Sequence, residues 1–224
     1  MENLLIGHSY SFHQKPNKLI VMLHGYGDNA ENFLHLANSI DILDWKAHYL
    51  SLSAPSLIPN YPNGNQWFDL YPNNIYIEEA GPTEIQIIKK EVEDVIVRIE
   101  KTIKYHLNNL GLHFNNCMVL GFSQGGMITY ELGNFCNESL GALGILSGRI
   151  MEKKTINNLA LKKTPIFISH GDQDDVISIK NFYESCTFLK ENKCNFESHE
   201  LYGDTHTISA NAILLLQKFI KKNL

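Results

Sequence analysis

The chain has 224 residues, 44% of them hydrophobic and 19% charged, which suits a single folded domain spanning 1–224 and excludes a disordered or low-complexity chain. Its formal charge of −5, with acids and bases interspersed, leaves no basic stripe to neutralise phosphates, so nucleic acid is excluded as a partner. The lysines of the closing "KFIKKNL" complement the end of a helix and stay solvated.

The first residues, "MENLLIGHSYSF", lack the basic start and long apolar stretch of a signal peptide, and no apolar run reaches membrane-spanning length. A cytoplasmic protein that does not span a membrane is expected. Cys117, Cys136, Cys186 and Cys194 show no CxxC spacing, so buried thiols are expected rather than disulfides or a metal site.

In chain order, "KLIVMLHG" (18–25) reads as a buried strand, and "DNAENFLHLANSI" (28–40) as a helix opened by Asp28 and Glu31 at capping-box spacing. "AHYLSL" is a second strand. Residues 53–82 are rich in Pro and Asn without a strong period, and a loop that long usually carries a function. "PTEIQIIKKEVEDVIVRIEKTIKYHL" places Ile85, Ile88, Val92, Val95, Ile99 and Ile103 at helical spacing behind Pro82.

Then follow strand "CMVLGF", helix "GGMITYELGNF", strands "LGALGILS" and "TPIFISHG", helix "SIKNFYESCTFLKE", strand "NFESHELY" and helix "SANAILLLQKFIKK". Strands apolar on both faces and alternating with helices imply an α/β fold with a mostly parallel central sheet flanked by helices. Sites in such sheets lie beyond the carboxyl ends of the strands.

Within "MVLGFSQGGM" the pattern GxSxG follows a strand and opens a helix. Gly121 and Gly125 remove side chains that would collide in a sharp turn, which leaves the Ser123 hydroxyl held out toward a ligand. A serine hydroxyl is a poor nucleophile alone, so a base must take its proton as it attacks a carbonyl carbon.

That chemistry calls for an acid and then a histidine, each in a loop after a later strand. "SHGDQDDVI" offers Asp172, Asp174 and Asp175, any of which could instead cap the following helix, and spacing does not choose among them. "SHELYGDTHTIS" offers His206 in a loop; His199 lies inside the strand and reads as an ordinary sheet residue, and His170 as a structural hydrogen-bonding group.

A second glycine cluster, "LHGYGDNA", also joins a strand to a helix, and Gly25, Gly27 and Ala30 fit the dinucleotide fingerprint GxGxxA. The next strand supplies only Ser51, Ser53 and Ser56 where a ribose-binding acid is needed, which disfavours a nucleotide cofactor. In a hydrolase the same loop donates a backbone amide to the oxyanion together with the residue after the nucleophile, here Tyr26 and Gln124. Because these donors are main-chain groups, Gln124→Ala is expected to harm far less than Ser123→Ala.

"LHGYGDNAENF", "SLSAP", "NQWFDL", "GFSQGGMI", "LGILSG", "HGDQDDVI" and "YGDTHTIS" run in order along nearly the whole chain. In these motifs it resembles the phospholipase/carboxylesterase family of small α/β-hydrolases, which includes acyl-protein thioesterases and lysophospholipases. The resemblance implies an α/β-hydrolase fold without a separate cap domain, with Ser123 as nucleophile, Asp174 as acid, His206 as base, and the Tyr26 and Gln124 amides as the oxyanion hole. It implies that Trp67, Phe68 and Asp69 lie near the cleft. Two departures, Thr205 where many relatives have Gly and "DDVIS" in place of a Val-Pro ending, bear on loop shape and substrate fit.

The resulting expectation is a hydrolase of esters or thioesters that needs no metal or organic cofactor and works through an acyl-enzyme on Ser123. Its substrate is a small acyl ester or thioester, with an acylated protein or a lysophospholipid as larger alternatives. Leu57, Ile58 and Phe68 are candidates either to line an acyl groove or to fill the core beneath the long loop, and Trp67 joins Leu57 and Phe68 as a candidate substrate contact, although large aromatics more often pack than touch substrate. Activity on lactones or peptides, and a non-catalytic binding protein, are the rivals. A homodimer is a further expectation, since relatives often form dimers.

Overall fold

The structure is a computed structural model that describes residues 4–42 and 45–224. Residues 1–3, part of the N-terminal stretch analysed above, and 43–44 lie outside the described residues.

The elements in chain order are β1 (Gly7–Ser11), β2 (Lys18–Leu23), α1 (Ala30–Leu34), α2 (Ala37–Ile40), β3 (Ala47–Leu52), β4 (Ser56–Leu57), β5 (Asn65–Gln66) and α3 (Pro82–Leu110). They continue with β6 (Cys117–Phe122), α4 (Gln124–Phe135), β7 (Ala142–Leu146), α5 (Leu159–Lys163), β8 (Ile166–Gly171), α6 (Ile179–Glu191), β9 (Phe196–Leu201) and α7 (Ala210–Asn223). Seven strands form one sheet in the order β1-β3-β2-β6-β7-β8-β9. Every neighbouring pair is parallel except β1 with β3. This is the α/β-hydrolase fold, and among the described residues no helical domain is inserted over the carboxyl edge of the sheet.

The central strands are apolar throughout because helices cover both faces. On one face Val21, Val119 and Ile145 pack against Ile88, Val92, Ile99 and Ile103 of α3 and Ile128 of α4. On the other, Met22, Leu120 and Phe167 pack against Phe33 of α1 and Leu216 and Phe219 of α7. α3 starts with Pro82 in its first turn and stops at Gly111, whose left-handed backbone (φ 66°) lets its amide reach back to the Asn108 carbonyl. Ile85, although on the helical spacing, is exposed in that first turn.

Three local expectations change. The helix over 28–40 is two short helices, and Asn38 turns its side-chain amide to the His35 carbonyl at 3.2 Å across the break, a local bond that competes with helix continuation. The cap is Asn29, whose extended backbone brings Oδ1 within 3.0 Å of the Asn32 amide; Asp28, one residue too early, accepts from the Asn32 side chain instead. The long loop contains the small antiparallel pair β4 and β5, which two-residue strands do not announce in sequence.

Candidate active site

β6 delivers Ser123 to the carboxyl edge of the sheet and α4 begins at the next residue. The turn is sharp: Ser123 sits at φ 54° and ψ −118°, a conformation that L residues rarely hold. A Cβ on Gly121 would strike the Gly125 carbonyl, and one on Gly125 would strike the Leu23 carbonyl of β2, so each glycine is required by close backbone approach. The Ser123 amide donates to the Leu146 carbonyl at 2.9 Å, which ties the turn to the neighbouring strand.

Ser123 Oγ lies 2.9 Å from His206 Nε2, and His206 Nδ1 lies 2.7 Å from Asp174 Oδ2. The three residues are 83 and 32 positions apart in sequence and meet because β6, β8 and β9 all end at this edge. The Asp174 side chain is inaccessible to solvent, and its Oδ1 accepts from the Val176 and Ile177 amides at 2.9 and 2.8 Å. The Phe122 ring lies 4.9 Å from the imidazole of His206, centroid to centroid. A hydroxyl, an imidazole and a buried carboxylate in this order can move a proton from the hydroxyl to the ring, with the carboxylate stabilising the imidazolium.

The amides of Tyr26 and Gln124 donate to no protein acceptor among the described residues. Their neighbours are committed: the Gly27 amide donates to the Asn65 carbonyl at 2.9 Å and the Ser123 amide to Leu146. Gln124 follows Ser123 directly, and Tyr26 follows Gly25, whose backbone approaches the Ser123 side chain; the N-terminus of α4 adds favourable partial charge for an anion.

The profile of the phospholipase/carboxylesterase family matches residues 10–224. The chain belongs to that family. It is 27% identical to an acyl-protein thioesterase 1 of Saccharomyces cerevisiae over 228 aligned residues, which cover 94% of this chain and 95% of the relative. It is 28% identical to the carboxylesterase SOBER1 of Arabidopsis thaliana, covering 92% and 90% of the two chains. The crystal structure of esterase PE8 superposes with a TM-score of 0.86 at 23% identity, covering 99% of this chain and all of that one, a likeness of fold.

In this member of the phospholipase/carboxylesterase family, the three competing aspartates have separate positions. Asp174 faces His206; Asp172 accepts from the Gly203 amide at 2.7 Å and joins the two loops; Asp175 is exposed. His199 lies within β9, with Nε2 2.9 Å from Glu197 and its ring against Phe167.

Of the roles open to the aromatic pair, the structure shows packing. Trp67 and Phe68 are each 1% exposed because both side chains pack into the core beneath the loop. Their polar groups bond across the site instead. The Trp67 amide donates to Gln124 Oε1 at 2.9 Å, Gln124 Nε2 donates to the Phe68 carbonyl at 2.8 Å, and the Trp67 indole N–H donates to the His24 carbonyl at 2.8 Å.

His24, also buried, accepts the Ala54 amide at Nε2 (3.1 Å), so its proton sits on Nδ1 and donates to the Gly25 carbonyl at 2.7 Å. Burial pushes its pKa down, which keeps the ring neutral. This network joins the loop of Tyr26 to the helix of Gln124, and it gives the Gln124 side chain a structural role beside the main-chain amide. Sequence reading missed it because the partners are backbone groups of residues 54, 67 and 68, far from Gln124 in the chain; the one signal was that His24 and Gln124 directly adjoin the two glycine turns.

Of the other candidates, Leu57 is exposed on β4 and Ile58 follows it. Among the described residues no group of three or more His, Cys, Asp or Glu converges to hold a metal ion, and no helix is long and apolar enough to cross a membrane.

Proposed function

We propose that this chain is a serine hydrolase of carboxylic esters and thioesters, with Ser123 as nucleophile, His206 as general base and Asp174 as the acid that orients it. The observation that carries the reading is the unbroken relay from Ser123 to His206 to Asp174 at 2.9 and 2.7 Å. Neutral His206 takes the Ser123 proton as the oxygen attacks the acyl carbon, and the oxyanion receives the Tyr26 and Gln124 amides. The imidazolium returns its proton to the departing alcohol or thiol. Water then attacks the acyl-enzyme with His206 as base again, releasing the acid and Ser123.

On the acyl side the reading favours short to medium chains, with exposed Leu57 and half-buried Ile58 as apolar candidates in the long loop. The reading takes residues 1–224 as one domain, supported by a single main sheet with an apolar cluster on each face. Unpaired cysteines support a reducing, cytoplasmic setting.

The test is hydrolysis of p-nitrophenyl acyl esters and matched thioesters over a series of chain lengths, with a fluorophosphonate probe to label the nucleophile. Esterolysis with labelling at Ser123, lost in Ser123→Ala, is the expected result. A wild-type protein that neither hydrolyses any of these nor takes the label overturns the reading. Acylated peptide and lysophospholipid arms then separate the larger substrate classes.

A further inference from the structure

His170, at the end of β8, has no role in the reaction described above, yet it is fully buried against the acid. Its Nε2 lies 2.7 Å from the Ile177 carbonyl and 3.2 Å from Asp174 Oδ2. A carbonyl only accepts, so the His170 proton is on Nε2, and burial lowers the pKa of the ring, keeping it neutral. The titratable groups acting on it are Asp174 in its own loop and His206 from the loop after β9; Phe182 of α6 packs 6.0 Å away, ring to ring.

The bonds close a small circuit. His170 holds the carbonyl of Ile177, the amide of Ile177 holds Asp174 Oδ1, and the N–H edge of His170 faces Asp174 Oδ2, the oxygen that meets His206. Removing the ring frees the 174–177 turn to rotate and leaves fewer positive dipoles on the carboxylate.

We infer that His170 is a positioning residue for the reaction: it clamps the 174–177 turn so that Asp174 presents Oδ2 to His206, and its N–H tempers the negative charge that the imidazole meets. The inference rests on the assignment of Ser123, His206 and Asp174 made above. Gln can replace the Nε2–H donor at similar reach, Asn is too short, and Leu has no donor.

The test measures kcat, KM and the pH profile of kcat/KM for a p-nitrophenyl ester in the full-length protein and in His170→Gln, His170→Asn and His170→Leu. Thermal melts establish folding, and Ser123→Ala serves as control. His170→Asn and His170→Leu are expected to lose roughly 10- to 100-fold in kcat with little change in KM. Their acid limb should move up by about half a unit, since a carboxylate without the facing N–H dipole holds the imidazolium proton more strongly. His170→Gln should restore the wild-type limb and stay within about threefold in kcat.

Unchanged kcat and pH profile in folded His170→Asn or His170→Leu overturns the inference, as does a Gln variant no better than Asn. If His170→Leu does not fold, the Gln and Asn pair decides alone. Activity that survives in Ser123→Ala would instead defeat the functional assignment.

Discussion

The two sides of the Ser123 hydroxyl are built differently. Toward the sheet, Ser123, Gln124, His24, Trp67, His170 and Asp174 are all buried, and each is held by at least one hydrogen bond to another loop or element of the chain. Toward solvent, β4 and β5 pair over two residues each, and Leu57 and Tyr61 are exposed at 70% and 56%. Reaction geometry rests on the side where displacement breaks several buried bonds at once, while substrate fit falls to the side where substitution disturbs little. Tyr61 bridges the two, packing beside Gly27 of the loop that carries Tyr26.

The largest expected effect comes from Ser123→Ala, which should lower kcat by about 10,000-fold or more with the fold intact in a thermal melt. Next is Gln124→Ala. It leaves the Trp67 amide and Phe68 carbonyl without their partner, so a loss of roughly 1–3 kcal/mol in stability is expected by denaturant titration, together with an order of magnitude in kcat. Wild-type stability and rate in this variant would break the contrast between the two sides, because the rigid side would then not depend on its network.

A third test uses pH. His24 and His170 are held neutral by burial, with folded pKa values below that of the free ring. The unfolded chain therefore binds more protons below about pH 6.5, and stability falls as pH drops through that point. Glu131 acts oppositely: burial raises its pKa to about 7, so the folded state binds the extra proton and stability falls as pH rises through that range. Melting temperatures from pH 5 to 8 should decline at the acid end, and Glu131→Gln, which removes the charge that burial disfavours there, should raise stability at pH 8 by on the order of 1 kcal/mol. The smallest effect is expected on the open side: Leu57→Ser should change kcat/KM within about threefold, more for longer acyl chains than for acetate, in the ester series.

Much of this architecture was legible in the chain. The central strands are apolar on both faces, α3 has its spacing, starting Pro and stopping Gly, and GxSxG lies between a strand and a helix; these are local patterns and were read as such. β1 was missed, since four of its five residues are exposed and its partners in β3 are 37 or more residues away. The roles of Trp67 and Phe68 stay open in the sequence because aromatic residues near a cleft read alike whether they face it or turn into the core.

By itself, the sequence determined the order of strands and helices, the turn that exposes one serine, and the histidine and acids available to it, because each depends on residues within a few positions of one another. Spacing left three aspartates open and the family resemblance pointed to Asp174, which the tertiary structure sets against His206; only the tertiary structure decided that the Gln124 side chain joins two loops and that His170 lies against the acid. Those contacts form where separate strands of a parallel sheet end at one edge, so their partners are set by packing across the sheet and not by proximity along the chain.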